Sequence, residues 1–230
     1  MSRTADVASS LFASVVRLGA GLDSRPAARK PEKLLELYEF EACPFCRRVR
    51  EALSRLDFDA LIYPCPRGGT RFRPRVVELG GKASFPYLVD PNTGRSLYES
   101  ADIVAYLHET YGPASAGLWL GPLSLAGSAL ASAVRASHGR AARPSRAADR
   151  PLELWSFEAS PFSRLAREVL CELELPYVLH NVARGSARRA EFVARSGKMM
   201  VPYLVDPNTG RSMFESADIV RYLGATYAAP

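Results

Sequence analysis

Apolar residues along the chain recur with two periods, one typical of a strand and one typical of a helix. Residues 35–40 and 59–63 form short apolar or alternating runs and predict strands. Between them, residues 44–56 carry apolar side chains at helical spacing and predict a helix. This part of the chain therefore begins with a strand, a helix and a second strand.

The next part of the chain predicts a weak helix, a hairpin and a closing helix. Residues 73–79 predict the weak helix, and residues 87–90 and 96–98 predict strands on either side of a tight turn. The turn sequence is Asp-Pro-Asn-Thr-Gly, in which glycine suits a positive φ. Residues 100–111 predict the closing helix. The same order returns later, with strands at 152–157, 177–181, 203–206 and 212–214 and helices at 163–175, 187–195 and 217–227.

The second set of elements is a copy of the first. Four pairs of segments match at a nearly constant spacing: 7–17 with 125–135, 35–53 with 152–170, 86–96 with 202–212, and 99–104 with 215–220. The third pair, PYLVDPNTGRS, is identical in both copies. Such self-similarity indicates a duplicated unit, here a leading helix followed by a compact domain.

The repeats predict four parts of the chain. These are an N-terminal helix and linker at 1–33, a first domain at 34–112, a linker with a helix at 113–150, and a second domain at 151–230. The linkers are rich in Arg, Ala, Ser, Gly and Pro. Each domain has the element order of a thioredoxin fold. We therefore predict an α/β protein with two tandem thioredoxin-like domains, each preceded by a helix.

Composition and charge narrow the class of partner. The 230 residues are 47% hydrophobic, which is enough for two cores of about 100 residues each. The net charge is +6 and comes mostly from arginine, but the basic residues are not interleaved with aromatic residues. We therefore expect a mild attraction for small anions and no nucleic-acid partner.

Two features bear on the cell compartment. The four cysteines are too sparse for a disulfide-stapled secreted domain, and the start of the chain lacks a good secretion signal. We expect a cytoplasmic protein, with an organelle such as a plastid as the alternative.

Residues 116–134 are uncharged and just long enough to suggest a membrane span, but they include Pro122 and several Gly and Ser residues. We expect a docked helix there and no span.

The sequence Cys43-Pro44-Phe45-Cys46 carries the clearest chemistry. At the start of a helix, unpaired N–H groups and the helix dipole favour a thiolate, so Cys43 is the expected nucleophile. Cys46, one turn later, can attack a mixed disulfide formed at Cys43. Half of a zinc site is the alternative, but no second Cys/His pair follows at ligand spacing, and we expect no metal. The second domain has Ser160 and Ser163 instead and cannot perform thiol–disulfide exchange.

The other two cysteines carry weaker expectations. Cys65 follows the second strand, where it is a regulatory thiol or an inert one, and the inert role is favoured. Cys171 lies within a predicted helix, where burial is the default.

These motifs together resemble known families. A Cys-Pro-Phe-Cys helix start, a proline before a strand, a hairpin, and Glu-Ser opening the last helix resemble glutaredoxins and the N-terminal domain of glutathione transferases. As a whole, the chain resembles the tandem glutathione-transferase N-terminal-domain proteins of bacteria and plant plastids. The resemblance implies glutathione as cosubstrate and oxidised or glutathionylated thiols as partners.

The resemblance also implies a glutathione site. The bond before Pro86 would be cis and leave the backbone of Phe85 free to pair with glutathione. At the start of the last helix, Glu99 would bind the γ-glutamyl ammonium and Ser100 the γ-glutamyl carboxylate. The alternative for these two residues is ordinary N-terminal capping of that helix. The implied glutathione-binding residues are Phe45, Phe85, Pro86, Glu99, Ser100 and Lys82, with Arg67 as a weaker candidate.

The second domain keeps most of this site. Its counterparts are Ser160, Val201, Pro202, Glu215 and Ser216, with Arg184 and Lys198 as weaker basic candidates. Because the serines cannot exchange disulfides, we expect this domain to bind glutathione or a similar γ-glutamyl anion without chemistry.

Four functions stay open at this point. The leading one is a glutathione-dependent thiol–disulfide oxidoreductase, with Cys43 as nucleophile and Cys46 as resolving thiol. The rival is a non-catalytic glutathione-binding or scaffold protein, and an exposed, acidic Cys43 would favour the enzyme. Glutathione transfer is doubtful because no all-helical C-terminal domain follows. Iron–sulfur cluster handling is disfavoured because such carriers usually keep a single thiol.

Overall fold

The computed structural model describes residues 3–16, 20–25, 27–112, 135 and 137–229. The stretch at 116–134, for which a docked helix was expected, lies outside these residues. None of the helices that are described is both long and apolar enough to cross a membrane.

The elements follow the predicted order in both copies. A leading helix, α1, spans Arg3–Val16. The first unit consists of β1 (Leu35–Glu39), α2 (Pro44–Leu56), β2 (Ala60–Pro64), α3 (Arg73–Gly80), β3 (Tyr87–Asp90), β4 (Arg95–Leu97) and α4 (Ser100–Tyr111). The second unit consists of β5 (Leu152–Ser156), α5 (Pro161–Glu172), β6 (Tyr177–Asn181), α6 (Arg189–Ser196), β7 (Tyr203–Asp206), β8 (Arg211–Phe214) and α7 (Ser216–Tyr227). The predicted α/β fold class is confirmed.

The two units share one sheet. Within each unit the first two strands are parallel. The first hairpin strand pairs antiparallel with the first strand, and the second hairpin strand pairs antiparallel with the first hairpin strand. The second strands of the units, β2 and β6, pair antiparallel with Leu61 opposite Val178. The result is an eight-stranded sheet in the order β4-β3-β1-β2-β6-β5-β7-β8. A single main core of buried apolar residues, contributed by the sheet and by α2, α4, α5 and α7, runs through both units.

The segments expected as loose linkers are tied to the units. The backbone of Ser24, before the first unit, donates to the carbonyl of Arg184 in the second unit at 2.6 Å. The backbone of Ala142, before the second unit, donates to the carbonyl of Arg67 in the first unit at 2.9 Å. Each segment therefore crosses to the opposite unit. The composition of these segments does not reveal the contacts, because they use backbone groups, which every residue type except proline supplies in full.

The identical hairpins serve the fold. The Asp90 carboxylate is fully buried and accepts hydrogen bonds at 2.6 Å from the hydroxyls of Tyr106 and Tyr111, on α4. It also accepts the backbone N–H of Asn92 at 2.8 Å, within the turn. Asp206 repeats these contacts with Tyr222, Tyr227 and Asn208. The aspartate thus holds each hairpin to its closing helix, which accounts for the retention of this segment.

Candidate functional site

Cys43 lies immediately before α2, as the sequence predicts. Its backbone is extended, with φ −74° and ψ 121°, and its Sγ accepts the backbone N–H of Cys46 at 3.3 Å. Hydrogen bonding by the Cys46 side chain lowers the pKa of Cys43, and backbone N–H groups at the helix start act in the same direction against the effect of burial. The pKa of Cys43 is therefore lowered, as the enzyme hypothesis expects, but the residue is only 3% exposed, whereas that hypothesis expects an exposed thiol.

Cys46 has the opposite proton affinity. The residue is fully buried, and burial raises its pKa well above the ordinary value, helped by its hydrogen bond to Cys43. Both thiols are free in this structure. The pKa values of the two thiols are therefore shifted in opposite directions.

The remaining two cysteines are buried in the structure. Burial raises the pKa of Cys65, whose Sγ contacts the carbonyl of Tyr63 at 3.5 Å. Burial also raises the pKa of Cys171, which accepts the backbone N–H of Glu41 at 3.5 Å. Both environments favour inert thiols. In the described ranges, no group of three or more His, Cys, Asp or Glu side chains is placed to hold a metal ion.

The proline loop approaches the strand that leads to Cys43. The Phe85–Pro86 and Val201–Pro202 bonds are both cis. The ring of Phe85 contacts that of Phe40, three residues before Cys43, edge to face at 6.3 Å. Phe45, inside the Cys-Pro-Phe-Cys sequence, is 44% exposed and offers an apolar surface beside the thiol.

The residues at the start of α4 do not form an ordinary N-terminal cap. Glu99 is exposed, has φ 62°, and makes no side-chain cap to the helix, so the expected capping role of this residue is wrong. Glu99 precedes the helix, and its side chain is exposed to solvent. Ser100 is buried, and its hydroxyl accepts a hydrogen bond from the Arg48 guanidinium at 3.3 Å. The sequence did not point to Arg48, which lies on α2 two residues after Cys46, because its contact with Ser100 joins two separate elements.

The basic residues that the resemblance suggests for binding the glycyl carboxylate of glutathione, Lys82, Arg67, Arg184 and Lys198, make contacts within the protein. The Lys82 ammonium is 4.7 Å from the ring centre of Tyr98, and that of Lys198 is 4.5 Å from the ring centre of Phe214. Arg184 forms an exposed pair with Asp23 at 3.6 Å. The backbone of Arg67 pairs with the crossing segment at Ala141. These contacts place the lysines at matching positions in both units and leave their ligand role a prediction.

The second unit repeats the geometry with oxygen in place of sulfur. The Ser160 hydroxyl accepts the backbone N–H of Ser163 at 3.2 Å and its hydroxyl at 2.9 Å. Glu215 has φ 66° and is exposed, and Ser216 is buried, as in the first unit.

The leading helix covers part of this second unit. In α1, the Ser10 hydroxyl donates to the carbonyl of Pro161 at 2.7 Å. The Arg164 guanidinium donates to the Ser10 carbonyl at 2.6 Å and contacts the Ser14 hydroxyl at 3.1 Å. The helix that precedes the first unit is thus fixed on α5 of the second unit, beside the Ser160 site.

A buried ion cluster joins the two units behind the thiol site. Arg50 contacts Glu41 at 3.3 Å and Glu158 at 3.0 Å, and it also bonds Glu39. Arg167 contacts Glu41 at 3.0 Å and Glu158 at 2.9 Å. Because Glu41 and Arg50 of the first repeat correspond to Glu158 and Arg167 of the second, the cluster is nearly symmetric.

The charges of this cluster shift the titration of its acids. Burial raises the pKa of Glu39 to about 7, despite the attraction of Arg50. Burial opposes ionisation of Glu158 as well, but Arg167, Arg50 and Arg47 outweigh it and lower its pKa to about 2. The second repeat has Ser156 where the first has Glu39, so the extra acid accompanies the unit that carries the thiols.

Comparison with known proteins matches both units to one family. The sequence profile described as "Glutathione S-transferase, N-terminal domain" matches residues 37–115 and 154–230. No curated protein matches the chain. A Bombyx mori glutathione transferase is 26% identical over 37% of this chain and 39% of that one, with a TM-score of 0.33. Leishmania TDR1, a trimeric glutathione transferase, is 14% identical over 86% of this chain and 68% of its own, with a TM-score of 0.32. The chain thus spans well under two thirds of the Bombyx mori enzyme.

Proposed function

Because the chain belongs to the glutathione S-transferase N-terminal-domain family, we propose that it is a glutathione-dependent thiol–disulfide oxidoreductase acting at Cys43. The observation that supports this proposal most is the opposite shift in the pKa values of the two thiols. The pKa of Cys43 is lowered and that of Cys46 is raised, which is the order that nucleophilic attack by Cys43 requires.

The proposed reaction conserves sulfur and electrons. The Cys43 thiolate attacks the glutathione sulfur of a mixed disulfide, forms a Cys43–glutathione disulfide, and releases the other half as a thiol. A second glutathione thiolate then attacks this adduct, so that glutathione disulfide leaves and the Cys43 thiolate returns. Alternatively Cys46 attacks Cys43, releases glutathione, and leaves a Cys43–Cys46 disulfide that two further glutathione molecules reduce. Reduced glutathione is the reductant throughout.

The proposed glutathione-binding site is formed by residues around Cys43 and at the start of α4. The backbone of Phe85 would pair with the peptide of glutathione, and Phe45 would cover its cysteinyl part. At the start of α4, Ser100, backed by Arg48, would receive the γ-glutamyl carboxylate, and the exposed Glu99 would meet the ammonium. Because only 3% of Cys43 is exposed, we propose small glutathionylated thiols as substrates ahead of bulky folded ones.

The test is reduction of the mixed disulfide of glutathione and 2-mercaptoethanol by the full chain with excess glutathione. We expect turnover by the wild-type protein, loss to background in Cys43→Ser, and residual turnover in Cys46→Ser because glutathione can replace the resolving thiol. Cys171→Ser is the matched control, since the first unit has Ser54 at that position, and it should keep wild-type activity.

Two results separate the proposal from its rival. Turnover that survives Cys43→Ser would remove the mechanism. Glutathione binding by calorimetry without any turnover would favour the non-catalytic binding protein.

A further inference from the structure

A cavity of about 370 Å³ lies between the leading helix and the second unit. Helices α5 and α7 form its floor, and the lining side chains of each helix lie on one face at helical spacing. Asp6 of α1, together with Arg135 and His138, forms a further wall. The volume falls at the small end of the range for small-molecule sites, so the cavity can hold a ligand of one or two rings.

One difference between the repeats removes a positive charge from the floor of this cavity. In the first unit, the Arg48 guanidinium donates to the Ser100 hydroxyl at the start of α4. The corresponding residue of the second unit is Leu165, which lines the cavity. Three further apolar residues line the floor: Val169, Ala217 and Val220. The floor therefore offers an apolar surface where the first unit has a guanidinium.

The guanidinium of Arg135, on the wall, is engaged by other groups. Its Nε and Nη2 donate to the two carboxylate oxygens of Glu168 at 2.5 and 2.6 Å. Its Nη1 donates to the backbone carbonyl of Asp6 at 2.8 Å and to the Ser9 hydroxyl at 2.5 Å. Arg135 thus compensates Glu168, whereas the Asp6 carboxylate oxygen Oδ1 is left 3.7 Å from Nη1.

The Asp6 carboxylate is short of hydrogen-bond donors. Its Oδ1 is buried and accepts no hydrogen bond within the described part of the chain. The Nε2 atom of His138 lies 3.6 Å from Oδ1, which is too long for a hydrogen bond. Arg221, the other arginine of the lining, donates to Asp218 at 2.7 Å. A buried carboxylate oxygen without a donor indicates a ligand N–H group that would satisfy it.

These observations favour a cationic ligand, because two acids, Asp6 and Glu168, share one guanidinium and the rest of the floor is mainly apolar. We propose that the cavity binds a primary amine that carries an apolar body of one or two rings, with its ammonium on the Asp6 carboxylate and its rings on α5 and α7. Asp6 and Arg135 lie outside both segments that match the family profile. The proposed site therefore depends on the leading helix and is distinct from the glutathione-binding residues.

The test uses 2-naphthylmethylamine as the probe, with 2-naphthalenemethanol as its neutral analogue and 2-naphthoate as its anionic analogue, each titrated into the full chain by calorimetry. The titrations are run at about pH 8, where ordinary imidazoles are neutral. The amine should bind about tenfold more tightly than the alcohol, because only the amine forms a charge-assisted hydrogen bond to a carboxylate. The naphthoate should bind more weakly than the alcohol.

Two variants test the contact with Asp6. Asp6→Asn keeps the size of the side chain and should remove the preference for the amine while leaving binding of the alcohol unchanged. Asp218→Asn is the matched control, because Asp218 is a nearby exposed acid that is paired with Arg221, and it should keep the preference. An equal loss in the two variants would assign the preference to the general charge of this region and overturn the contact with Asp6.

Two further variants report on the location. Ala217→Leu narrows the cavity and should weaken binding of the amine and the alcohol at least tenfold, whereas Ala101→Leu, the same change in the first unit, should leave it unchanged. Equal binding of amine and alcohol to the wild type, or amine binding that survives Ala217→Leu in a folded protein, overturns the proposal. Displacement of the amine by millimolar glutathione, lost in Glu215→Ala, would also overturn it and identify a second γ-glutamyl site. None of these measurements depends on Cys43.

Discussion

At the scale of single residues, two cysteines one helical turn apart acquire opposite properties. Cys43 precedes the helix and receives hydrogen bonds, whereas Cys46 lies inside it and is fully buried. The sequence predicted the place of Cys43 at the helix start and its lowered pKa, because the effect of a helix start depends only on local position. It could not predict the low exposure of Cys43 or the contact of Arg48 with Ser100, since both depend on side chains from separate elements.

The hydrogen bond from Cys46 should be measurable in the ionisation of Cys43. Cys46→Ala removes the side-chain donor that contributes most to the lowered pKa, so the apparent pKa of Cys43 should rise toward the ordinary value of about 8.5. Cys46→Ser keeps a hydroxyl donor, as Ser163 does toward Ser160, and should leave the pKa lowered. The rate of iodoacetamide labelling of Cys43 against pH gives both values. Equal pKa values in the two variants would contradict this role of Cys46.

At the scale of elements, the hairpin and its closing helix form one unit in each repeat. The periodicity predicted these elements closely, because apolar spacing and turn residues are local properties. Their connection through Asp90 and Asp206 was not predicted, since it depends on where the tyrosines of the closing helices come to lie. Pro86, at the start of this repeated segment, is expected to contribute to glutathione binding, and the structure shows that the segment also has a role in the fold.

Loss of this connection should cost stability. The Asp206 carboxylate accepts bonds from two tyrosine hydroxyls, so Asp206→Asn should lower the free energy of unfolding by about 1–3 kcal/mol at pH 7. The exposed Asp218→Asn is the control and should cost less than about 1 kcal/mol. Urea denaturation followed by circular dichroism measures both.

The difference in stability between wild type and Asp206→Asn should depend on pH. Burial alone would raise the pKa of Asp206, but bonds from Tyr222, Tyr227 and Asn208 lower it overall. The contribution of the ionised group is therefore complete above the unfolded pKa of about 3.9 and falls as pH drops through the lower folded value. The difference between wild type and Asp206→Asn should shrink in that acid range. A difference that grows on acidification would contradict the assignment.

At the scale of the whole molecule, the repeats join through a strand pair and an ion cluster. Neither was predicted, because β2 and β6 show no sequence signal for pairing with each other. A signal for the cluster did exist. Glu41 and Arg50 recur as Glu158 and Arg167, so both copies keep the charges that form the cluster.

Breaking this cluster should destabilise the chain more than any surface change. Glu158→Gln removes the carboxylate that Arg50 and Arg167 share and leaves excess buried positive charge, which should cost about 3–5 kcal/mol. Glu191→Gln, in an exposed pair, should cost less than about 1 kcal/mol. Urea denaturation at neutral pH compares the two variants. A loss below about 1 kcal/mol in Glu158→Gln would show that the cluster is not important for joining the units.

The central claim is that Cys43 is the nucleophile that carries glutathione, and intact-protein mass spectrometry with peptide mapping tests it most directly. Cys46→Ser is incubated with glutathione disulfide, so that attack by Cys43 releases one glutathione and leaves an adduct that no resolving thiol can remove. We expect one glutathione per chain, mapped to Cys43, and no adduct when Cys43 is also replaced by serine. An adduct on Cys65 or Cys171, or no adduct on Cys43, would contradict the account.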